Sequence, residues 1–372
     1  MQMTDQSPIH PFDAAKAEAF ANRFAGTLNE AALAIMSSLG HRTGLFDALA
    51  AHPGLTAKTL AKRAGVTERY LREWLGVMVT SGVVDYGPIA RSYTLPPEHA
   101  AFLTRASAPD NMAVTTQFIG VAASVETEMV SRFRDGGGLH YGHFERFHEV
   151  MAEDSAQLVV ASLTEAILPI VPGLIGRLEA GIDVADLACG GGRALLRLAQ
   201  EYPESRFTGI DLCADAFAAT EAEARAKGIG NLRFEVRDLS SVDRIGPFDL
   251  VTTFDGVHDQ RDPEGLLDLI RDALREGGVY LMQEIGGSRD LEKNIGNPFA
   301  PLLFTISSMH CTPISIGQGG PGLGAMWGIE TAREYLEQAG FSDIEMHRLP
   351  HDPINAYFVA CRRAGLQKQS EQ

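Results

Sequence analysis

From residue 176 onward, apolar positions come in short unbroken runs, each followed by a stretch with helical spacing. "IDVADLA", "RFTGIDL", "LRFEVRDL", "FDLVTTFDG" and "VYLMQEI" read as buried strands. "ALLRLAQEY", "DAFAATEAEARAKG" and "PEGLLDLIRDALREGG" read as amphipathic helices between them. Strands that are apolar throughout, alternating with helices, predict a parallel α/β sheet with right-handed crossovers, doubly wound in the Rossmann manner. The helix after Asp262 has a polar cap, Pro263 in its first turn and Gly277-Gly278 at its expected end.

Residues 1–105 carry a different pattern, all-helical with a short β tail. "LNEAALAIMSSLGHRTGLFDALA" has helical periodicity with expected interruptions at Gly40 and Gly44. Thr56 and Thr67 then stand where N-caps belong, each before a short amphipathic helix, and "GVVDYGPIARSYTL" reads as a hairpin turning at Gly87-Pro88. Helix, turn, helix and wing make a winged helix. Its second helix, "TERYLREWLGVMVTSG", commits Leu71, Trp74, Leu75, Val77 and Met78 to packing, which favours dimerisation over reading a DNA groove. From Thr56 to Arg105 seven basic residues face four acidic ones, too slight an excess to reverse that expectation.

Between these regions, residues 106–175 read as a helical connector. "NMAVTTQFIGVAASVETEMVSRFRDGG" is expected to be one helix. After the Gly136–Gly138 turn come His140, Tyr141, His143, Phe144, Phe147 and His148, either core packing or a lid over a pocket; both remain open. The α/β domain is bounded at 176–365, and residues 366–372 are expected to be a disordered tail.

Composition narrows the function classes. The formal charge of -16 argues against a surface that mainly faces nucleic acid. Four cysteines without a C-x-x-C pair suit a reducing cytoplasm and give no structural zinc spacing. The N-terminus lacks a basic segment followed by an apolar core, and "LTEAILPIVPGLIGRL" is too short and too broken by proline to span a bilayer.

The chemistry concentrates at strand ends. "DLACGGG" places three glycines between a buried strand and a helix start, where open amide N–H groups can meet a ligand. Nineteen residues past Gly192, Asp211 closes the next strand, where an acid can accept hydrogen bonds from a ribose diol. These motifs resemble those of class I S-adenosylmethionine-dependent methyltransferases. "LREGGVYLMQEI" and "YLEQAGFSDIEMHRL" resemble that family's later strand and closing helix. The resemblance implies a cofactor site of Asp186, Ala188, Gly190, Gly192, Asp211, Leu212, Asp238, Leu239, Phe254 and Asp255. Ala188 stands where many members carry glycine. A winged helix joined through helices to such a domain resembles small-molecule methyltransferases that dimerise through their N-terminal domains, which implies a homodimer and a small-molecule methyl acceptor. "DGVHDQ", "ISSMHC" and "GLGAMWG" resemble a bacterial branch of winged-helix methyltransferases known from mycobacteria, over residues 30 to 362.

His258 and Asp259 lie just past the fourth strand, on the side where open α/β sheets bind ligands. His258 is the candidate base or acceptor-orienting residue, with Asp259 and His310 as further catalytic candidates. Tyr141, His143, Glu284, Cys311 and Trp327 are candidate acceptor contacts, and no metal ion is expected. The glycine-rich run from Gly317 to Gly324 lacks the Lys-Ser/Thr of a P-loop and is expected to be a flap. Three alternatives stay open: a transcriptional regulator with a cofactor-sensing domain, an enzyme using the cofactor for other chemistry, and a silent binding module.

Overall fold

The computed structural model describes residues 12–362; the tail expected at 366–372 lies outside the described residues. The chain divides into two compact units, Met1–Arg105 and Ala106–Gln372. No helix among the described residues is long and apolar enough to cross a membrane.

The first unit begins with α1 (Ala14–Arg42), capped by Asp13, whose carboxylate accepts the Lys16 N–H at 3.1 Å. Gly40 does not interrupt this helix, contrary to the pattern-based expectation. A Cβ there would come within 2.6 Å of the Trp74 ring, so the glycine serves close packing, and the chain breaks only at Gly44 with φ 68°. α2 (Leu45–Ala51), α3 (Ala57–Ala64) and α4 (Glu68–Thr80) follow. Thr56 caps α3 by accepting the Thr59 N–H, whereas Thr67 begins α4 without a side-chain cap. α4 buries Leu71, Trp74, Leu75 and Met78; Val77 is half-buried. Strands β1 (Leu55–Thr56), β2 (Asp85–Gly87) and β3 (Ser92–Thr94) form the wing in the order β1-β3-β2.

The second unit opens with the connector. The expected single helix is three, Met112–Thr115, Gln117–Ser124 and Glu126–Asp135. The bends at Thr116 and Val125 let Phe118, Val121 and Met129 pack with Phe144, Val150 and Ile314. α5 (Phe147–Ser155) then leads toward the sheet.

Seven strands make that sheet: β4 (Asp183–Leu187), β5 (Arg206–Asp211), β6 (Leu232–Val236), β7 (Phe248–Phe254), β8 (Leu274–Ile285), β9 (Phe341–Leu349) and β10 (Asp352–Arg362). Their order is β6-β5-β4-β7-β8-β10-β9. The first five are parallel, and β10 runs antiparallel between β8 and β9. Consecutive residues of β10 serve opposite cores. Phe358 packs with Leu266, Ile270 and Leu336 on one face, and Tyr357 with Leu168, Leu195 and Phe207 on the other. The helices between strands include α6 (Arg193–Glu201), α7 (Ala214–Ala226) and α8 (Pro263–Ala273).

The end of α8 differs from the sequence expectation. The helix stops at Ala273, and Gly277-Gly278 belong to β8. Pairing jumps from Phe248↔Leu274 to Leu250↔Val279, and Gly277 at φ 72° sits in the resulting bulge. Beyond β8 come α9 (Ala300–Ile306), a π-helical turn at Ser307–Cys311, α10 (Thr312–Gly317) and α11 (Ile329–Gln338). The glycine run 317–324 is packed rather than free-standing. A Cβ on Gly317 would strike the Leu139 carbonyl, and one on Gly320 would meet Ser315 Oγ at 2.6 Å.

Candidate active site

One cavity opens along the carboxyl ends of the parallel strands, all of its lining from the second unit. At one end the backbone turns from β4 into α6 through Ala188 (φ 53°), Gly190 (φ 49°) and Gly192 (φ 62°). Each glycine has its own reason. A Cβ on Gly192 would hit the Phe234 ring, and one on Gly191 would lie 2.8 Å from the Ala152 methyl. One on Gly190 would meet nothing, because that side faces open space. The Ala188 methyl is accommodated by a second glycine, Gly256, where an added Cβ would come within 2.9 Å of it. The start of α6 therefore presents unobstructed backbone to the cavity, at the electropositive end of a helix.

Two carboxylates brace this turn. Asp186 is buried beneath it and accepts the Thr252 hydroxyl at 2.8 Å; burial pushes its acid up to about 7. Asp211 accepts N–H groups from Gly190 and Cys213, both at 2.8 Å, and burial raises its acid too. Each Asp211 oxygen keeps a lone pair for a further donor. Turn and acid together fit a nucleoside-bearing ligand, with Asp211 placed for a diol and Gly190 for close approach.

At the other end stand His258 and Glu284. His258 Nδ1 is bonded to Glu284 Oε2, with both side chains buried. Glu284 Oε1 accepts the Val257 N–H at 2.9 Å, and Oε2 also accepts Trp327 Nε1–H at 3.2 Å. The ring is thereby oriented with Nε2 turned toward Asp259, 3.4 Å from Oδ1. Burial alone would depress the imidazole. The Glu284 charge and then that of Asp259 outweigh it, leaving His258 well above the ordinary histidine value. His258, Asp259 and Cys311 each offer a ligand atom within 4.8 Å of the others, a grouping that linear spacing does not announce. Burial raises the Asp259 acid and lifts the Cys311 thiol to about 12. The three form a polar edge of the cavity, and an N, O and S donor set of this kind could hold zinc.

His310, carried on the π-helical turn, is a different histidine. Its ring stacks on Phe147 at 3.7 Å and meets Phe144 edge-on at 4.8 Å. Burial, with the His258 and His148 charges, pulls it down to about 3, so at neutral pH it is an uncharged aromatic wall. It lies 3.9 Å from Asp259 Oδ2.

The cavity walls include Asp186, Ala188, Gly190, Gly192, Asp211, Phe254, Asp255, His258, Asp259, His310, Cys311 and Tyr141 from the sequence expectations. Others lie elsewhere. Glu284 and Trp327 stand behind His258 rather than on the wall, and His143 is exposed, with its Nδ1 folded back on the His140 backbone N–H at 3.1 Å. Leu212 is 45% exposed and off the wall. Asp238 accepts the Ser240 N–H at 2.9 Å beside the buried Leu239, also outside the wall. Sequence reasoning missed Thr115, Phe118, Met151, Asp154, Ile306 and Asn355. Nothing in their local pattern separates them from ordinary helix and strand residues.

Comparison with known proteins accords with this layout. Residues 31–105 match the model of an Rv2258c-like winged HTH domain, and residues 178–309 match that of a methyltransferase domain. The chain joins a winged helix to a class I methyltransferase domain. The chain is 36% identical over 101 residues to trans-aconitate 2-methyltransferase of Deinococcus radiodurans. It is 25% identical over 162 residues to the ubiquinone/menaquinone biosynthesis C-methyltransferase of Bdellovibrio bacteriovorus. Those stretches are 27% and 43% of this chain, and they span only 37% and 63% of the two relatives. Among solved structures, human N-acetylserotonin methyltransferase, in complex with S-adenosylmethionine, aligns at a TM-score of 0.67 and 16% identity. That alignment covers 97% of this chain and 99% of the human one. Mitomycin 7-O-methyltransferase aligns at 0.65 and 16%, covering 94% and 100%. At such identities the likeness is one of fold.

Proposed function

We propose that this protein is an S-adenosylmethionine-dependent methyltransferase of a small molecule, with His258 as the base that deprotonates the acceptor. The observation that carries this is a single cavity with an open glycine turn and Asp211 at one end and the His258–Glu284 pair at the other. Bound at the turn, S-adenosylmethionine supplies an electrophilic methyl group on a sulfonium. Asp211 would accept hydrogen bonds from the ribose, and the start of α6 would receive the methionine end. Five aspartates on the wall, Asp154, Asp186, Asp211, Asp255 and Asp259, favour a cationic ligand over an anionic one.

The chain's own work is alignment and proton removal. Glu284 holds the Nδ1–H of His258, so Nε2 is the nitrogen presented to an acceptor. The raised proton affinity of His258 gives it driving force as a base once it is neutral, and Glu284 then stabilises the imidazolium that forms. Phe147 and His310 wall the acceptor against water.

The winged helix is proposed as the homodimerisation module. α1 leaves Phe20, Phe24, Leu28, Ile35 and Leu39 between 43% and 69% exposed along its length, an apolar stripe suited to a second copy. The α4 arginines that a DNA reader would offer, Arg69 and Arg72, are paired with Glu73 and Glu68. Sedimentation of wild type as a dimer and of Phe24→Asp/Leu28→Asp as a monomer is the expected outcome.

The cofactor assignment is tested by calorimetric titration with S-adenosylmethionine. Wild type should saturate at one site per chain, and Asp211→Ala should lose at least about tenfold in affinity. A folded wild type that binds nothing would refute it.

A further inference from the structure

We propose that the acceptor end of this cavity is built to receive a protonated amine, held by Asp154, Asp255 and Asn355, on a ligand with an otherwise apolar body. The inference deepens the methyltransferase reading and rests on it for the identity of the ligand as the acceptor.

The three residues come from α5, the turn after β7, and β10, and all line the cavity. Each leaves an oxygen free, and burial with the nearby Glu284 charge raises the Asp255 acid well above its ordinary value, so a cation there would favour its carboxylate form. Asp255 Oδ2 accepts Gln283 Nε2–H at 3.1 Å, while its buried Oδ1 has no partner. Asn355 is only 2% exposed; its Nδ2 donates to Asp352 Oδ2 at 2.9 Å, and its Oδ1 has no partner. Asp154 Oδ1 accepts the Thr115 hydroxyl at 3.0 Å, which leaves Oδ2 for another donor.

The Asn355 orientation is fixed by chemistry. Flipping it would turn its carbonyl oxygen onto the Asp352 carboxylate. Its unpartnered oxygen is therefore a genuine acceptor awaiting a donor. Gln283 Oε1, behind Asp255, is unpartnered as well.

Among the described residues, no arginine or lysine forms an ion pair with Asp154 or Asp255. Arg146, on the same connector, is bonded to Glu149 and Gln117 instead. Carboxylates removed from water without a partner are costly, and burial lifts the Asp154 acid to about 6. An ammonium group supplies what the corner lacks: a positive charge and up to three N–H donors diverging from one atom. The surrounding wall of Phe118, Phe147, Met151, Leu302, Leu303 and Ile306 suits a hydrocarbon or aromatic body.

Two ammonium groups could enter: that of the acceptor, or the α-amino group of the cofactor itself. Asp154 and Asn355 belong to α5 and β10, which supply neither the glycine turn nor Asp211, and this favours the acceptor.

The test is calorimetric binding of two matched probes, tyramine and its neutral isostere 4-propylphenol, with and without saturating S-adenosylhomocysteine. Wild type is expected to prefer tyramine by at least about tenfold, the scale of a charge-assisted contact. Asp154→Asn and Asn355→Ala, each checked for a wild-type melting transition, should abolish the preference and leave S-adenosylhomocysteine affinity within about twofold. No preference in wild type, including no binding of either probe, overturns the proposal. So does a loss of S-adenosylhomocysteine affinity in both variants with the preference intact, which would assign the corner to the cofactor. If wild type fails to bind S-adenosylhomocysteine yet prefers tyramine, the methyltransferase reading fails and the amine site stands.

Discussion

The two ends of the cavity are assembled in different ways. The proposed cofactor end is a continuous piece of chain, Asp186 to Gly192, completed by Asp211 at the tip of the adjacent parallel strand. It works mainly through backbone, so its requirements are glycines and a strand-to-helix turn. The acceptor end draws single side chains from five separate stretches, near 115–118, 141–155, 254–260, 302–311 and 354–355. There the function lies in side-chain chemistry, and no two stretches need resemble a motif. A backbone site constrains sequence locally; a side-chain site constrains it only through the fold.

That contrast can be broken or sharpened by substitution. The largest effect is expected from His258→Ala. With a hydroxyl acceptor, kcat should fall by about 10²–10⁴, the usual contribution of a positioned general base, with cofactor affinity unchanged. Single-turnover kinetics would read it, and full turnover by the variant would remove His258 from the chemistry.

Glu284→Gln should act more mildly and through pH. Losing the carboxylate removes the charge that raises His258, so the acid limb of kcat/KM should move to lower pH while the plateau drops by about tenfold. Stability carries the same signature. Because His258 binds its proton more tightly folded than unfolded, the pair stabilises the protein fully below about pH 6.5, the ordinary histidine value. That contribution is lost as pH rises through the higher folded value. The melting difference between wild type and Glu284→Gln should therefore shrink on the alkaline side, and a constant difference would contradict the pairing.

The smallest effect belongs to the apolar wall. Ile306→Ala should raise the acceptor KM by roughly tenfold, the scale of one lost apolar contact, without altering S-adenosylmethionine affinity. An equal loss for both ligands would show that the two ends are not separable.

Much of this architecture is legible in the chain. Alternating apolar strands and amphipathic helices foretell the parallel sheet, and Asp262 and Pro263 mark the start of α8 correctly. The glycine turn and Asp211 are visible because their roles belong to the backbone and to strand ends. Glycine misleads when its reason is a neighbour. Gly40 looks like a helix break yet makes room for Trp74, and Gly277-Gly278 look like a helix stop yet form a bulge in β8. The histidines are harder still. His143 and His310 are both candidate site residues in the sequence, but one turns to solvent and the other stacks against Phe147.

By itself, then, the sequence determined the order of strands and helices of the α/β sheet, the winged helix and the glycine turn that leads from β4 into α6. All of these follow from periodicity, caps and turn chemistry within a few residues of one another. Tertiary structure alone decided that Glu284 and Trp327 stand behind His258, that Cys311 completes its polar edge, and that Asp154 and Asn355 share a wall with Asp255. The physical reason is that proton affinity, desolvation and hydrogen-bond satisfaction depend on which groups are brought within a few ångströms, and these partners lie tens to hundreds of residues apart in the chain.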